Sequence, residues 1–271
     1  MFPLYYSTPL ICNPVFYAII ENQIEHNLEV KLLPESEILT GLMNGSIPIG
    51  YISPLSYAQS KGDLLIVNDF NIFTPHTGKN ALLFFKGALD NITRIYFNPH
   101  QDSGSFGRFI TDWILQETFN ISPKWHKVEN LTMNAKYLEQ YDVIFVEGAE
   151  AMDLYPDYDN FIDLSEEWTL NISLPLVQQV LAVPKKFKEN EVLEKLRLSR
   201  ELGLRNLIKI AKSYAKNRPQ NWDVYFDILN ENYQYHPNPQ VWESLSELMS
   251  MMFYRNIVDY LPDLKVYQDD L

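Results

Sequence analysis

The sequence predicts an α/β fold in two lobes with a helical C-terminal tail. Three observations predict it. Short apolar strands alternate with helical segments from the N-terminus to about residue 163, the signature of helices layered on a mainly parallel sheet. An apolar run, Leu176–Val183, then reads as a strand that returns after a second strand–helix unit. From Asn190 onward the apolar residues recur only at helical spacing.

In order, Leu4–Ser7 reads as a strand and Asn13–Glu21 as a helix, because Pro14 suits a first helical position. Leu28–Leu33 is a strand, and Glu35–Asn44 is a helix closed by Gly45. Pro48–Ile52 is a buried strand, Pro54–Gln59 opens a helix, and Leu64–Val67 and Ala81–Phe85 are apolar strands. A second unit follows: strand Arg94–Phe97, polar loop His100–Ser105, helix Phe106–Phe119, strand Lys124–Lys127, helix Met133–Glu139 and strands Val143–Val146 and Phe161–Asp163. The tail has helices at Asn190–Leu202, Leu204–Ala215, Val224–Asn230 and Pro239–Asp259, with Gly203 as an interruption or cap and Tyr233–Pro239 as a loop. Lobe 1 is expected at 1–88 and 180–271 and lobe 2 at 89–179, with a hinge of two connections near Lys86–Ile92 and Leu174–Val183.

Bulk properties exclude some functions. The 271 residues carry a formal net charge of −13, which argues against nucleic acid, since that partner demands a basic face. A small anionic ligand stays open, because local donors outweigh a distant field screened by salt. The single cysteine, Cys12, forbids an internal disulfide and points to a reducing compartment. MFPLYYSTPL has neither a basic n-region nor a continuous apolar core, and no apolar run approaches bilayer length. The expectation is a cytoplasmic protein without a membrane partner. None of the five histidines has metal-ligand spacing. A homodimer is the one protein partner left open.

Four segments, in this order and spacing, carry a family resemblance: NGSIPIGYISPLSYA ending at Ala58, NALLFFK at 80–86, DLSEEW followed by LPLV at 163–177, and LRLSRELGLRNL at 196–207 with the later NYQY. The chain resembles the chorismate dehydratases of the futalosine route to menaquinone. Their sister, the dihydroxynaphthoate synthase, fits less well, because its Cys-Pro-Asn-Asp opening is not the order seen in LICNPV. The resemblance implies a two-lobed, periplasmic-binding-protein type II-like fold, a carboxylate substrate between the lobes and no cofactor or metal. It implies loss of water from chorismate, giving 3-[(1-carboxyvinyl)oxy]benzoate, with the substrate's own carboxylate as a candidate base. The chain departs from the family pattern: Ile11 replaces an asparagine, Asn80 a serine, Glu147-Gly148-Ala149 an Ile-Gly-Asp, and Gln178 and Gln179 enter an apolar strand. A binding protein that holds a carboxylate or aromatic ligand without turnover is therefore the alternative.

Candidate residues each have two readings. Ser103, Gly104 and Ser105 precede a helix, so their N–H and hydroxyl groups can meet a carboxylate, or Ser105 simply caps the helix. Arg108 can clamp a carboxylate or lie on the surface. Asn13 orients a substrate or caps the helix that Pro14 begins, and Ser53 faces the cleft or caps the next helix. Asn80 starts a strand at the hinge, next to Lys79, which is read as solvated. Glu147, followed by Gly148, is a general base if burial raises its pKa, or a structural ion-pair partner. His76 and His100 are loop residues, read as solvated or as proton carriers. The tyrosines and tryptophans are read as core.

Overall fold

The computed structural model describes residues 1–87, 92–99, 105–129, 131 and 140–268. The expected helix at 133–139 lies outside them.

Two sheets organise the chain. The first contains β1 (Phe2–Tyr6), β2 (Leu28–Leu32), β3 (Gly50–Ile52), β4 (Leu64–Val67), β5 (Ile72–Thr74), β11 (Leu176–Pro184) and β12 (Val266–Tyr267). Its order is β12-β4-β11-β3-β1-β2, with β5 also on β11. The second contains β6 (Ala81–Phe85), β7 (Arg94–Phe97), β8 (Lys124–Lys127), β9 (Val143–Glu147) and β10 (Phe161–Asp163), in the order β10-β6-β9-β7-β8.

Each sheet has one strand set antiparallel to its path neighbours. β11 opposes both β3 and β4, while β1 runs parallel to β2 and β3. β6 opposes both β9 and β10, while β7 runs parallel to β8 and β9. These two strands are the ones by which the chain arrives at each sheet after crossing from the other. The crossings occupy 75–80 and 164–175, so Ala81–Phe85 belongs to the second sheet, earlier than the expected break at 88/89.

Helices cover the sheets. α1 (Pro9–Ile20), α2 (Glu35–Asn44) and α3 (Pro54–Gln59) follow β1, β2 and β3. α1 begins at Pro9 and continues through Pro14, so Asn13 sits inside the helix rather than at its cap. Pro9 fills the N-terminal position that the sequence reading gave to Pro14. In the second lobe, α4 (Phe106–Phe119), α5 (Ala149–Leu154) and α6 (Leu164–Ile172) follow β7, β9 and β10. α7 (Asn190–Leu204), α8 (Leu207–Ala215), α9 (Trp222–Asp227) and α10 (Pro239–Tyr254) form the tail. Gly203 lies within α7 and neither caps nor breaks it. α10 stops at Tyr254, because Arg255 and Asn256 turn the chain with backbone bonds to Met251 and Phe253.

One apolar core joins the two sheets and α10, including Ile52, Phe73, Leu83, Phe106, Trp113, Trp168, Val177 and Leu245. Trp113 and Trp168 pack with ring planes tilted by 56° and centroids 5.3 Å apart. A second core lies under α1 and α7 and includes Leu4, Phe16, Tyr51, Ile72, Leu181, Leu196 and Tyr235. The tail also grips the second lobe. Asp153 of α5 accepts from Tyr225 Oη (2.5 Å) and Arg218 Nη1 (3.0 Å), and Arg255 binds Gln116 and Glu117 of α4.

Candidate functional site

The carboxyl ends of parallel strands are where open α/β sheets bind ligands. Here the ends of β1 and β3 and the end of β9 lie on the side from which both crossing strands, β6 and β11, begin. The polar residues of the crossings therefore collect between the lobes.

Asp163 organises the first crossing. It is 2 % exposed, and its Oδ1 caps α6 by accepting from Ser165 N at 2.9 Å. Its Oδ2 accepts from Gly78 N (3.1 Å) and Lys79 N (2.9 Å), and Lys79 Nζ approaches to 3.5 Å. Lys79 is thus paired, and its ammonium also lies 4.9 Å from the centre of the Phe161 ring, rather than being solvated as expected. Gly78 fits only because it lacks a side chain, since a Cβ would fall 2.5 Å from Ser165 Oγ. A short π-helical turn, Ile228–Asn232, brings the tail here: Tyr233 Oη donates to Gly78 O at 2.8 Å, and Asn232 Nδ2 to Thr77 Oγ1 at 3.3 Å. Burial, reinforced by the charge of Asp163, pushes the Tyr233 phenol well above its ordinary pKa, so it remains a donor.

Asn80 joins three segments. Its carbonyl accepts from Gly148 N (2.6 Å), which locks β6 to the end of β9. Its Nδ2 donates to Gln178 Oε1 (3.0 Å), and Gln178 Nε2 donates to Ser165 Oγ (3.0 Å). Asn80 Oδ1 is buried and has no partner among the described residues. Gln178 and Gln179, out of place in an apolar strand, stand where β11 shifts register against β5. Such an irregularity turns side chains away from simple alternation.

Glu147 closes β9, is half-buried, and leans on the first turn of α4. Its Oε1 lies 2.9 Å from where a Cβ on Gly107 would stand. Gly148 follows with φ 71° and ψ −141°, a region close to glycine-only, and with open space where a side chain would project. Ser105 is 7 % exposed and caps α4, its Oγ accepting from Arg108 N at 3.1 Å. Ser103 and Gly104, with His100, lie outside the described residues.

Other candidates sit elsewhere or are committed. The Arg108 guanidinium lies over Phe97 and Trp125, 4.6 and 4.7 Å from the ring centres. Burial pushes the neighbouring Asp112 carboxyl up, against the lowering effects of its bond from Trp125 and of the Arg108 charge. Ser53 caps α3 and is held by Glu35 Oε1, which accepts from Ser53 N, Ser53 Oγ and Ser56 Oγ at 2.9, 2.5 and 2.5 Å. Asn13 lines a groove of about 330 Å³ between α1 and α8 with Tyr17, Lys209 and Lys212. No hydrogen bond among the described residues links Asn13 to Asn80 or Glu147. His76 is exposed. Among the described residues no His, Cys, Asp and Glu side chains group to hold a metal, and no helix is long and apolar enough to cross a membrane.

The sequence reading did not single out Asp163, Ser165 or Tyr233, which the structure brings to this junction. The signal for Asp163 was available, because Asp-Leu-Ser-Glu-Glu is a helix cap at the end of a strand.

Solved structures share this architecture. The chain superimposes on protein AF1704 from Archaeoglobus fulgidus with a TM-score of 0.73 at 16% identity, covering 94% of this chain and 98% of that one. It matches the periplasmic aliphatic sulphonate binding protein SsuA from Escherichia coli with a TM-score of 0.69 at 14% identity, covering 98% and 92%. It matches the alkanesulfonate-binding protein SsuA from Xanthomonas axonopodis pv. citri, bound to MOPS, with a TM-score of 0.67 at 15% identity, covering 96% and 94%. The fold is therefore the two-lobed periplasmic-binding-protein type. No curated protein sequence matches the chain. The family described as menaquinone biosynthesis matches residues 7–254, and the chain belongs to that family.

Proposed function

We propose that the protein is a cytoplasmic lyase of menaquinone biosynthesis that dehydrates chorismate in the cleft between its lobes. The observation that carries this reading is Asn80, buried at the junction of both crossings with its Oδ1 unpartnered among the described residues. A carbonyl oxygen in that position accepts a hydrogen bond from a substrate hydroxyl and so orients the ring. The reaction removes a proton from carbon and the hydroxyl from the same ring, together one water. Glu147, or the substrate's own carboxylate, takes the proton. Ser105 and the start of α4 face the substrate carboxylate. Position and desolvation supply the acceleration, and they are large when the bound geometry is right.

Chromatography of chorismate incubated with the protein tests the reading, with 3-[(1-carboxyvinyl)oxy]benzoate as the expected product. Glu147→Gln is expected to lower turnover about a hundredfold if Glu147 is the base. Unchanged turnover in that variant leaves the substrate carboxylate as the base. Absence of product with the unaltered protein overturns the lyase.

The closeness of the Glu147 carboxylate to the first turn of α4, where only a glycine at position 107 leaves room, favours a second reading, a non-catalytic binder of a carboxylate or aromatic ligand. In it a protein carboxylate already stands at the start of α4, and the ligand is held without turnover. Chorismate that raises the melting temperature without being consumed identifies this case.

A further inference from the structure

Tyr51, Gln179 and Tyr235 share one feature. They are 0 %, 6 % and 2 % exposed, and Tyr51 Oη, Gln179 Oε1 and Tyr235 Oη have no hydrogen-bond partner among the described residues. Strand register puts them on one face of the first sheet. Leu181 pairs with Tyr51, so the two side chains share a face. Gln179 pairs with Ile72, and Phe73 bridges Gln234, so Tyr235 flanks Ile72 from the other side. Leu181, Ile72, Tyr51 and Tyr235 all belong to the core beneath α1.

The row lies at the cleft end of the lobe. Tyr51 is one residue short of the end of β3, and Gln179 is next to Gln178, which holds Asn80. Phe16 of α1 packs edge-on against Tyr51 with centroids 5.8 Å apart, and the backbone carbonyl of Tyr235 is held by Arg200 at 3.1 Å. The Tyr51 ring is thus held by packing and Tyr235 by its backbone, while the polar tips lack partners among the described residues. Buried polar tips are usually satisfied, and here three without a partner stand together on one face of a sheet, at its cleft end.

We propose that Tyr51, Gln179 and Tyr235 form the subsite that takes the hydroxyl-bearing edge of a ring carboxylate bound between the lobes. The row is neutral. A phenol donates or accepts, whereas the carbonyl oxygen of Gln179 only accepts, so the guest supplies an O–H group. A carboxylate, which cannot donate, does not satisfy Gln179. Burial pushes both phenols well above their ordinary range, so they stay protonated when the guest binds. The inference rests on the reading of the cleft as the ligand site but not on turnover of chorismate.

The test compares two probes by calorimetry: shikimate, and cyclohex-1-ene-1-carboxylate, which has the ring and the acid without the hydroxyls. Shikimate is expected to bind more tightly. Tyr51→Phe and Tyr235→Phe should each weaken shikimate about five- to tenfold while leaving the deoxy acid unchanged, the loss expected for one hydrogen bond. The melting temperature of each variant without ligand should stay level or rise, because a hydroxyl lacking a partner is being removed. Gln179→Met, which keeps length and removes the acceptor, should repeat the pattern. Equal affinity for the two acids, or no binding of either, overturns the subsite. A melting temperature lowered in all three variants with affinity unchanged also overturns it, since the tips would then serve a structural water. If shikimate selectivity holds while chorismate is not consumed, the lyase fails and the subsite stands.

Discussion

Gly203 meets Pro14 so closely that a Cβ on Gly203 would lie 1.9 Å from the Pro14 carbonyl oxygen. α1 and α7 touch through backbone at this point. Ser199, one turn earlier on α7, accepts from Ala18 N at 3.0 Å and keeps the two helices in register. Backbone cannot withdraw as a flexible side chain can. Gly203→Ala is therefore expected to cost about 1–3 kcal/mol by forcing the helices apart. Leu198→Ala, at an exposed position of the same helix, should stay within about 0.5 kcal/mol. Urea midpoints of the two variants check this, and equal midpoints contradict the close contact.

Asp163 satisfies N–H groups from both the crossing segment and the start of α6, as well as the Lys79 ammonium. Asp163→Ala leaves those donors buried without an acceptor and is expected to cost about 3–5 kcal/mol. Asp163→Asn retains an oxygen and should cost less. Thermal unfolding of the two variants checks the order, and a harmless alanine would mean that water replaces the carboxylate.

Asp153 and Tyr225 join the second lobe to the tail through a 2.5 Å bond. Tyr225→Phe should cost about 1 kcal/mol, and Asp153→Ala more, because Arg218 also loses its partner. The double variant should fall short of the sum by about 0.5–1 kcal/mol, the mark of a shared contact. Additive losses would show that the two residues act separately in solution.

Burial raises the phenols of Tyr51, Tyr225, Tyr233 and Tyr235, and it lifts Tyr214 to about 12 from an ordinary 10.0. The unfolded chain releases these protons near pH 10, whereas the folded chain holds them. Stability is then full below pH 10 and falls as pH rises from 10.0 to about 12 through the Tyr214 range. Urea unfolding across that window should show falling midpoints. Tyrosinate absorbance of these residues should appear together with loss of structure. Their full ionisation in the folded protein would contradict the buried placement.

Much of the fold was legible because period and punctuation agree. α2 ends at Asn44 with Gly45 in the left-handed region, as the sequence suggests, and α3, α4, β6, β7 and β8 keep the read boundaries. α1 was misplaced because two prolines compete for one role, and local preference cannot tell which is inside the helix. β5 was missed because Ile72–Thr74 is too short to show alternation and is defined by its partners, β11 and Gln234. The site was less legible than the fold. Asn80, Glu147 and Ser105 stand out in the sequence by their places at strand and helix ends, and the structure keeps them at those ends. Tyr51 and Tyr235 do not, because what distinguishes them is the absence of a partner in the folded sheet, and for Asp163 only the helix cap is local, since Gly78 and Lys79 lie 85 and 84 residues away.

Thr74 and Leu176 are direct partners across β5 and β11. The polypeptide therefore departs for the second lobe and comes home at the same spot. A hairpin joining these two positions would excise 75–175 without re-registering a single strand of the first sheet. Swapping in a foreign segment with closely spaced ends would likewise graft new chemistry onto an unchanged base.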